Sequence, residues 1–128
     1  MTEKKKAAIL LVDDEAEFAS TLAERLNLRE YAASVAADGE SALERLSKDA
    51  TIPDLVLLDV KLPGMDGIEV LRRIKEQHSA LPVVLLTGQA GAKDGIEGMK
   101  LGAAGYLSKP VDLQELLDLF ATLGVARA

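Results

Sequence analysis

Four short runs in this 128-residue chain each stop at a side chain that can do chemistry. Ile9-Leu10-Leu11-Val12 halts at Asp13-Asp14-Glu15, Leu55-Val56-Leu57-Leu58 at Asp59, Val83-Val84-Leu85-Leu86 at Thr87, and Gly105-Tyr106-Leu107 at Ser108-Lys109-Pro110. Three carboxylates in a row repel one another unless a cation sits among them. Asp13 or Asp14, together with Asp59, offers the hard oxygen ligands that Mg²⁺ prefers. A carboxylate such as Asp59 can also act as a nucleophile and carry a covalent group. A hydroxyl such as Thr87 and an ammonium such as Lys109 can hold the anionic oxygens of that group.

For these side chains to meet, each run must be a strand and the strand ends must lie together. Apolar runs of four suit a strand buried on both faces and are too short for a helix, and Pro63-Gly64 breaks the chain soon after Asp59. Between the runs, Phe18, Leu22 and Leu26, with Ala19 and Ala23, predict an amphipathic helix from about Asp14 to Leu28. Tyr31 to Ala37 reads as a short strand, and Ala42, Leu43 and Leu46 face inward on a second helix from about Glu40 to Lys48. Ile68, Leu71 and Ile74 mark a third helix, and Leu113, Leu116, Leu117 and Phe120 a last one. Asp66 with Glu69, and Asp112 with Glu115, stand at capping-box spacing at the starts of these two. The helix between Thr87 and Gly105 is weak: Gly91, Gly95, Gly98 and Gly102 would line one of its faces. Each glycine costs a helix roughly 0.5 to 1 kcal/mol relative to Ala, so the face predicts either a soft helix or close packing on the sheet.

Five strands alternating with five helices predict an α/β fold, a flavodoxin-like doubly wound five-stranded parallel sheet of order 2-1-3-4-5 flanked by five helices. In that order the winding reverses between strands one and three. Asp13, Asp14 and Asp59 then meet there, with Thr87 and Lys109 on neighbouring strand ends.

Composition narrows the function. With 15 basic against 21 acidic residues and a net charge of −6, the chain lacks the broad basic surface that direct nucleic-acid binding needs. No cysteine is present, which rules out disulfides and thiolate metal sites. The apolar run Ala7 to Val12 is too short for a signal peptide, nothing spans a membrane, and a cytoplasmic location is expected. Lys4-Lys5-Lys6 reads as a solvated leader over residues 1–6, ahead of one domain over 7–123 and a tail over 124–128. His78, the single histidine, reads as solvated.

The acidic pair after strand one, Asp59 ahead of Pro63-Gly64-Met65-Asp66-Gly67, the Thr after strand four and the Lys-Pro after strand five together resemble the receiver domain of bacterial two-component response regulators, over about Ala7 to Leu123. The resemblance implies that Asp59 accepts a phosphoryl group from a sensor histidine kinase, a phosphotransfer protein or a small phosphodonor. It implies a Mg²⁺ site of Asp13, Asp14, Asp59 and the backbone carbonyl of Lys61, with Thr87 and Lys109 completing the catalytic set. Thr87 and Tyr106 would act as switch residues on a surface around helix four, strand five and helix five that changes its binding of a downstream protein; for Tyr106 a plain half-buried strand tyrosine stays open. The Lys109-Pro110 bond is expected to be cis. Such a module phosphorylates and dephosphorylates itself and is not a turnover enzyme. It is expected as a monomer, with dimerisation on phosphorylation left open. Only Gly124 to Ala128 follow the last helix, so the chain should signal by binding or relay, unless an output domain was removed from a longer parent. Lys61, two residues after Asp59, is expected to alter access of water to the acyl phosphate, and Gly88 to leave the site open beside Thr87.

Each residue also has a plainer reading. Asp14 could cap the first helix at the same spacing to Glu17, Asp59 could be a turn aspartate, Thr87 a strand-end hydroxyl and Lys109 an exposed lysine. Among other classes, an FMN-carrying flavodoxin shares the architecture, but the Asp13-Asp14-Glu15 loop would repel a phosphate. A haloacid-dehalogenase-like phosphatase needs a second acid two residues after its nucleophile, where this chain has Lys61. A degenerate receiver that only binds is disfavoured because the expected side chains are all present.

Overall fold

A computed structural model describes residues 6–48, 52–88 and 92–125. Strands β1 (Ala8–Val12), β2 (Ala32–Ala36), β3 (Leu55–Asp59), β4 (Val83–Thr87) and β5 (Gly105–Ser108) alternate with helices α1 (Ala16–Leu28), α2 (Gly39–Lys48), α3 (Gly67–Gln77), α4 (Ala92–Lys100) and α5 (Leu113–Thr122). All neighbouring strands are parallel, in the order β2-β1-β3-β4-β5, so the predicted fold and winding reversal are found. Lys4, Lys5, Gly91 and residues 126–128 lie outside the described residues.

Successive strand side chains point to opposite faces, and that alternation divides the core in two. Ile9, Leu11, Leu55, Leu57, Val84 and Leu86 pack with Leu22 and Leu26 of α1 and with Leu116 and Phe120 of α5. Leu10, Val12, Val56, Leu58, Val83 and Leu85 pack with Leu46 of α2 and with Val70, Leu71 and Ile74 of α3. Both faces of β3 and β4 are fully buried. Carried on past the strand ends, the same alternation puts Asp13, Asp59 and Lys109 on the α1 and α5 side, in step with Leu11, Leu57 and Leu107. Thr87 is in step with Leu85, on the side of α3 and α4.

Three local features differ from the sequence expectations. Helix α1 begins at Ala16, with Glu15 at its N-cap and no side chain capping it, so Asp14 is not the cap. Asp13 takes part in the turn instead, its Oδ1 accepting the Glu15 N–H at 2.9 Å. Helix α4 ends at Lys100, so among the described residues of the glycine face Gly95 and Gly98 fall inside it and Gly102 lies beyond its end. Their places explain them: a Cβ on Gly98 would run into Leu85, and one on Gly95 would lie 2.5 Å from the Tyr106 ring. Close packing on the sheet is the reading that geometry favours. His78 is half-buried at the end of α3, where its N–H donates to the Ile74 carbonyl at 2.7 Å. The predicted caps Asp66 and Asp112 do accept the Glu69 and Glu115 N–H groups, at 3.1 and 3.2 Å.

Candidate functional site

The ends of β1, β3, β4 and β5 converge at one edge of the sheet. Asp59 is the last residue of β3 and is paired with Leu86, so Thr87 sits one step further along the adjacent strand. Thr87 in turn pairs with Ser108, whose successor is Lys109; the Lys109 N–H donates to the Thr87 carbonyl at 2.7 Å. Asp13, Asp59 and Thr87 are the buried polar residues of the described chain. A buried carboxylate is costly without compensation, so each should have partners.

Asp59 Oδ1 accepts the backbone N–H of Lys61 at 3.0 Å, and Asp59 Oδ2 lies 3.4 Å from Lys109 Nζ. Lys109 Nζ is also 2.8 Å from Asp13 Oδ2 and 2.8 Å from Glu15 Oε1. The ammonium stands 4.5 Å from the centre of the Phe18 ring, within cation–π range. One lysine thus gathers carboxylates from three positions in the chain. Burial pushes the Lys109 ammonium down, but the close oxygens of Asp13 and Glu15 and the charges of Asp59 and Asp13 outweigh it and hold the group above lysine's ordinary range. Burial, with the charge of Asp13, raises the Asp59 carboxyl, against the opposing pull of the Lys61 N–H and Lys109.

Lys109 does not satisfy every oxygen. Asp13 Oδ2 is buried without a hydrogen-bond partner: the ammonium is near it but off hydrogen-bonding geometry. Carboxylate oxygens of Asp13, Asp14 and Asp59 all lie within 4.8 Å of one another. Mg²⁺ prefers oxygen ligands of this kind, and these three side chains are the ones that would hold it. The orphaned oxygen and this spacing fit a divalent cation bound by hard ligands, and the cluster is able to hold a metal.

The expected residues therefore stand around one site. Asp14 is exposed and Asp13 buried, which gives the acidic pair one wet and one dry member. Thr87 is buried, its hydroxyl 3.5 Å from the Leu107 carbonyl. Tyr106, on the exposed side of β5, is turned towards α4, and the Lys109–Pro110 bond is cis. Gly88 faces open space, as its position beside Thr87 suggested. The sequence reading had not connected Glu15 or Phe18 with Lys109. No local signal could have done so, since Glu15 and Lys109 are 94 residues apart.

The model of the response regulator receiver domain family matches residues 9–121 of the chain. The chain belongs to that family. It is a receiver domain of the two-component response regulator kind. Among curated relatives it is 42% identical over 108 residues to the response regulator PleD of Caulobacter vibrioides, covering 83% of this chain and 23% of that protein. It is 38% identical over 109 residues to the response regulator MprA of Mycolicibacterium vanbaalenii, covering 85% and 46%. The chain thus spans less than half of these relatives' length. Among solved structures it resembles the NtrX receiver domain of Brucella abortus, with a TM-score of 0.83, 32% identity and coverage of 90% of this chain and 96% of that one. A receiver domain protein of Clostridium thermocellum gives a TM-score of 0.86 at 30% identity, covering 91% and 93%. Among the described residues no helix is long and apolar enough to cross a membrane.

Proposed function

We propose that this receiver domain takes a phosphoryl group onto the Asp59 carboxylate and signals through the change that follows. The observation carrying this reading is the convergence of buried Asp59, the orphaned oxygen of buried Asp13 and the Lys109 ammonium at one strand-end edge. An Asp59 oxygen attacks phosphorus, forming a P–O bond. The bond to the donor breaks with its electron pair leaving on the donor, a histidine ring nitrogen of a kinase or phosphotransfer protein, or the acetate oxygen of acetyl phosphate.

Asp13, Asp14, Asp59 and the Lys61 carbonyl would hold Mg²⁺, which when bound offsets the repulsion between an anionic nucleophile and an anionic donor. The Lys61 N–H fixes the orientation of the Asp59 carboxylate through Oδ1, and Lys109 presents a positive charge on the Oδ2 side. Thr87 supplies a hydroxyl for a phosphoryl oxygen, and moving it bears on α4, the side its strand position faces. Tyr106, packed against α4 at Gly95, carries that change to the α4, β5 and α5 surface. The module works in the cytoplasm and catalyses no sustained turnover. Its phosphodonor is a sensor histidine kinase or phosphotransfer protein and its target a downstream protein.

The test is intact mass after incubation with Mg²⁺ and acetyl phosphate. A metal-dependent gain of one phosphoryl group in the wild-type chain, absent in Asp59→Asn, is expected; no gain in either, despite measurable Mg²⁺ binding, would leave a domain that signals by binding alone.

A further inference from the structure

Lys109 is bound most closely not by Asp59 but by two other carboxylates. Its Nζ is 2.8 Å from Glu15 and from Asp13 and 3.4 Å from Asp59. The Asp13 side chain is fully buried, whereas the Glu15 side chain is 62% exposed and, although Glu15 is the N-cap of α1, caps no backbone N–H. Its one polar partner among the described residues is Lys109. Phe18, in the first turn of the same helix, lays its ring against the ammonium at 4.5 Å while its other contacts are in the apolar core. The start of α1 therefore encloses Lys109 from two sides, with a charge and with an aromatic face.

We infer that Glu15 and Phe18 are positioning residues that hold Lys109 in reserve while Asp59 carries no phosphoryl group, and that Glu15 releases the ammonium when a phosphoryl oxygen competes for it. This rests on the reading of Asp59 as phosphoryl acceptor. A phosphoryl group brings more negative charge to the Asp59 side of Lys109 than the carboxylate alone, and Glu15, the most exposed of the three carboxylates, costs least to leave unpaired because water already solvates it.

Two measurements test the holder. An ammonium enclosed by carboxylates and an aromatic ring exchanges its protons slowly, so the Lys109 ¹⁵Nζ resonance, assigned by its loss in Lys109→Arg, is expected to be visible in the unphosphorylated wild-type chain. It is expected to broaden in Glu15→Gln, Glu15→Asp and, more weakly, Phe18→Leu. Phosphorylation by acetyl phosphate is expected to be roughly two- to fivefold faster in Glu15→Gln, the range an exposed ion pair can supply. Glu15→Asp keeps the charge but falls short of Nζ, so it should match Glu15→Gln. If Glu15→Asp instead keeps the wild-type rate, Glu15 acts only as a charge and the holder is wrong. The holder is also overturned if the resonance and the rate are indifferent to all three substitutions. If the wild-type chain takes no phosphoryl group, the receiver chemistry fails, while the Nζ resonance by itself still supports or overturns the holder.

Discussion

Gly95 of α4 lies directly under the ring of Tyr106 on β5, so close that a Cβ there would stand 2.5 Å from Tyr106 Cδ2. Tyr106 is 37% exposed, and the absence of a side chain at Gly95 is what gives its ring this seat. Alanine normally stabilises a helix over glycine by about 0.5 to 1 kcal/mol. Here Gly95→Ala is expected to gain none of it, because the ring must move outward. Gly98→Ala, aimed at the buried Leu85, should lose about 1 to 3 kcal/mol by overpacking. Urea midpoints measure both, and the Tyr106 ring resonances should shift only in Gly95→Ala.

The raised Asp59 carboxyl has a pH consequence with a definite sign. Folded Asp59 holds its proton more tightly than unfolded Asp59, whose ordinary value is 3.8. Its contribution to stability is therefore fully present below that value and is lost as pH rises through the folded value. Asparagine does not ionise. The stability advantage of Asp59→Asn over wild type, without metal, should widen from about pH 4 towards neutrality. Denaturant midpoints at several pH values check this; a gap that narrows with rising pH would contradict the assigned direction.

Metal should act on the same balance. A ligand bound only by the folded chain stabilises it by about 2.7 kcal/mol at a hundredfold excess over its dissociation constant. Mg²⁺ is expected to raise the wild-type melting temperature and to do little for Asp13→Asn, which loses the charge of the orphaned oxygen. It should also shrink the advantage of Asp59→Asn. Thermal melts across a Mg²⁺ titration provide the readout.

Side chains cover most of the free edge of β2. Ala33 and Val35 turn their backbone groups away from β1, as the β1-to-β2 bonds at Ala32 and Ala36 require. Asn27 accepts the Ala33 N–H at 2.8 Å and donates to its carbonyl at 3.4 Å, while Arg45 donates to the Val35 carbonyl at 3.0 Å. An open edge pairs readily with another chain. Asn27→Ala with Arg45→Ala should self-associate at concentrations where wild type does not, as read by light scattering, and should lose about 0.5 to 1.5 kcal/mol per hydrogen bond removed.

How much of this was legible in the chain differs by level. The strands and their order followed from apolar runs and the alternation with helices, because a strand buried on both faces and a right-handed crossover leave few arrangements. That Asp13, Asp14, Asp59, Thr87 and Lys109 come together followed too: each stands next to a strand end, and an open parallel sheet gathers those ends. The start of α1 was placed too early because Asp14 has capping spacing, whereas the turn that Asp13 Oδ1 makes to the Glu15 N–H delays the helix to Ala16. The glycine spacing runs on to Gly102, past the end of α4 at Lys100. Residue types and period thus determined the fold and which polar side chains share one edge of the sheet. Which carboxylate Lys109 prefers, which Asp13 oxygen is left without a donor, and that Glu15 and Phe18 enclose the ammonium were decided by the tertiary structure alone. Those are matters of a few tenths of an ångström between residues far apart in the chain, and only packing sets them.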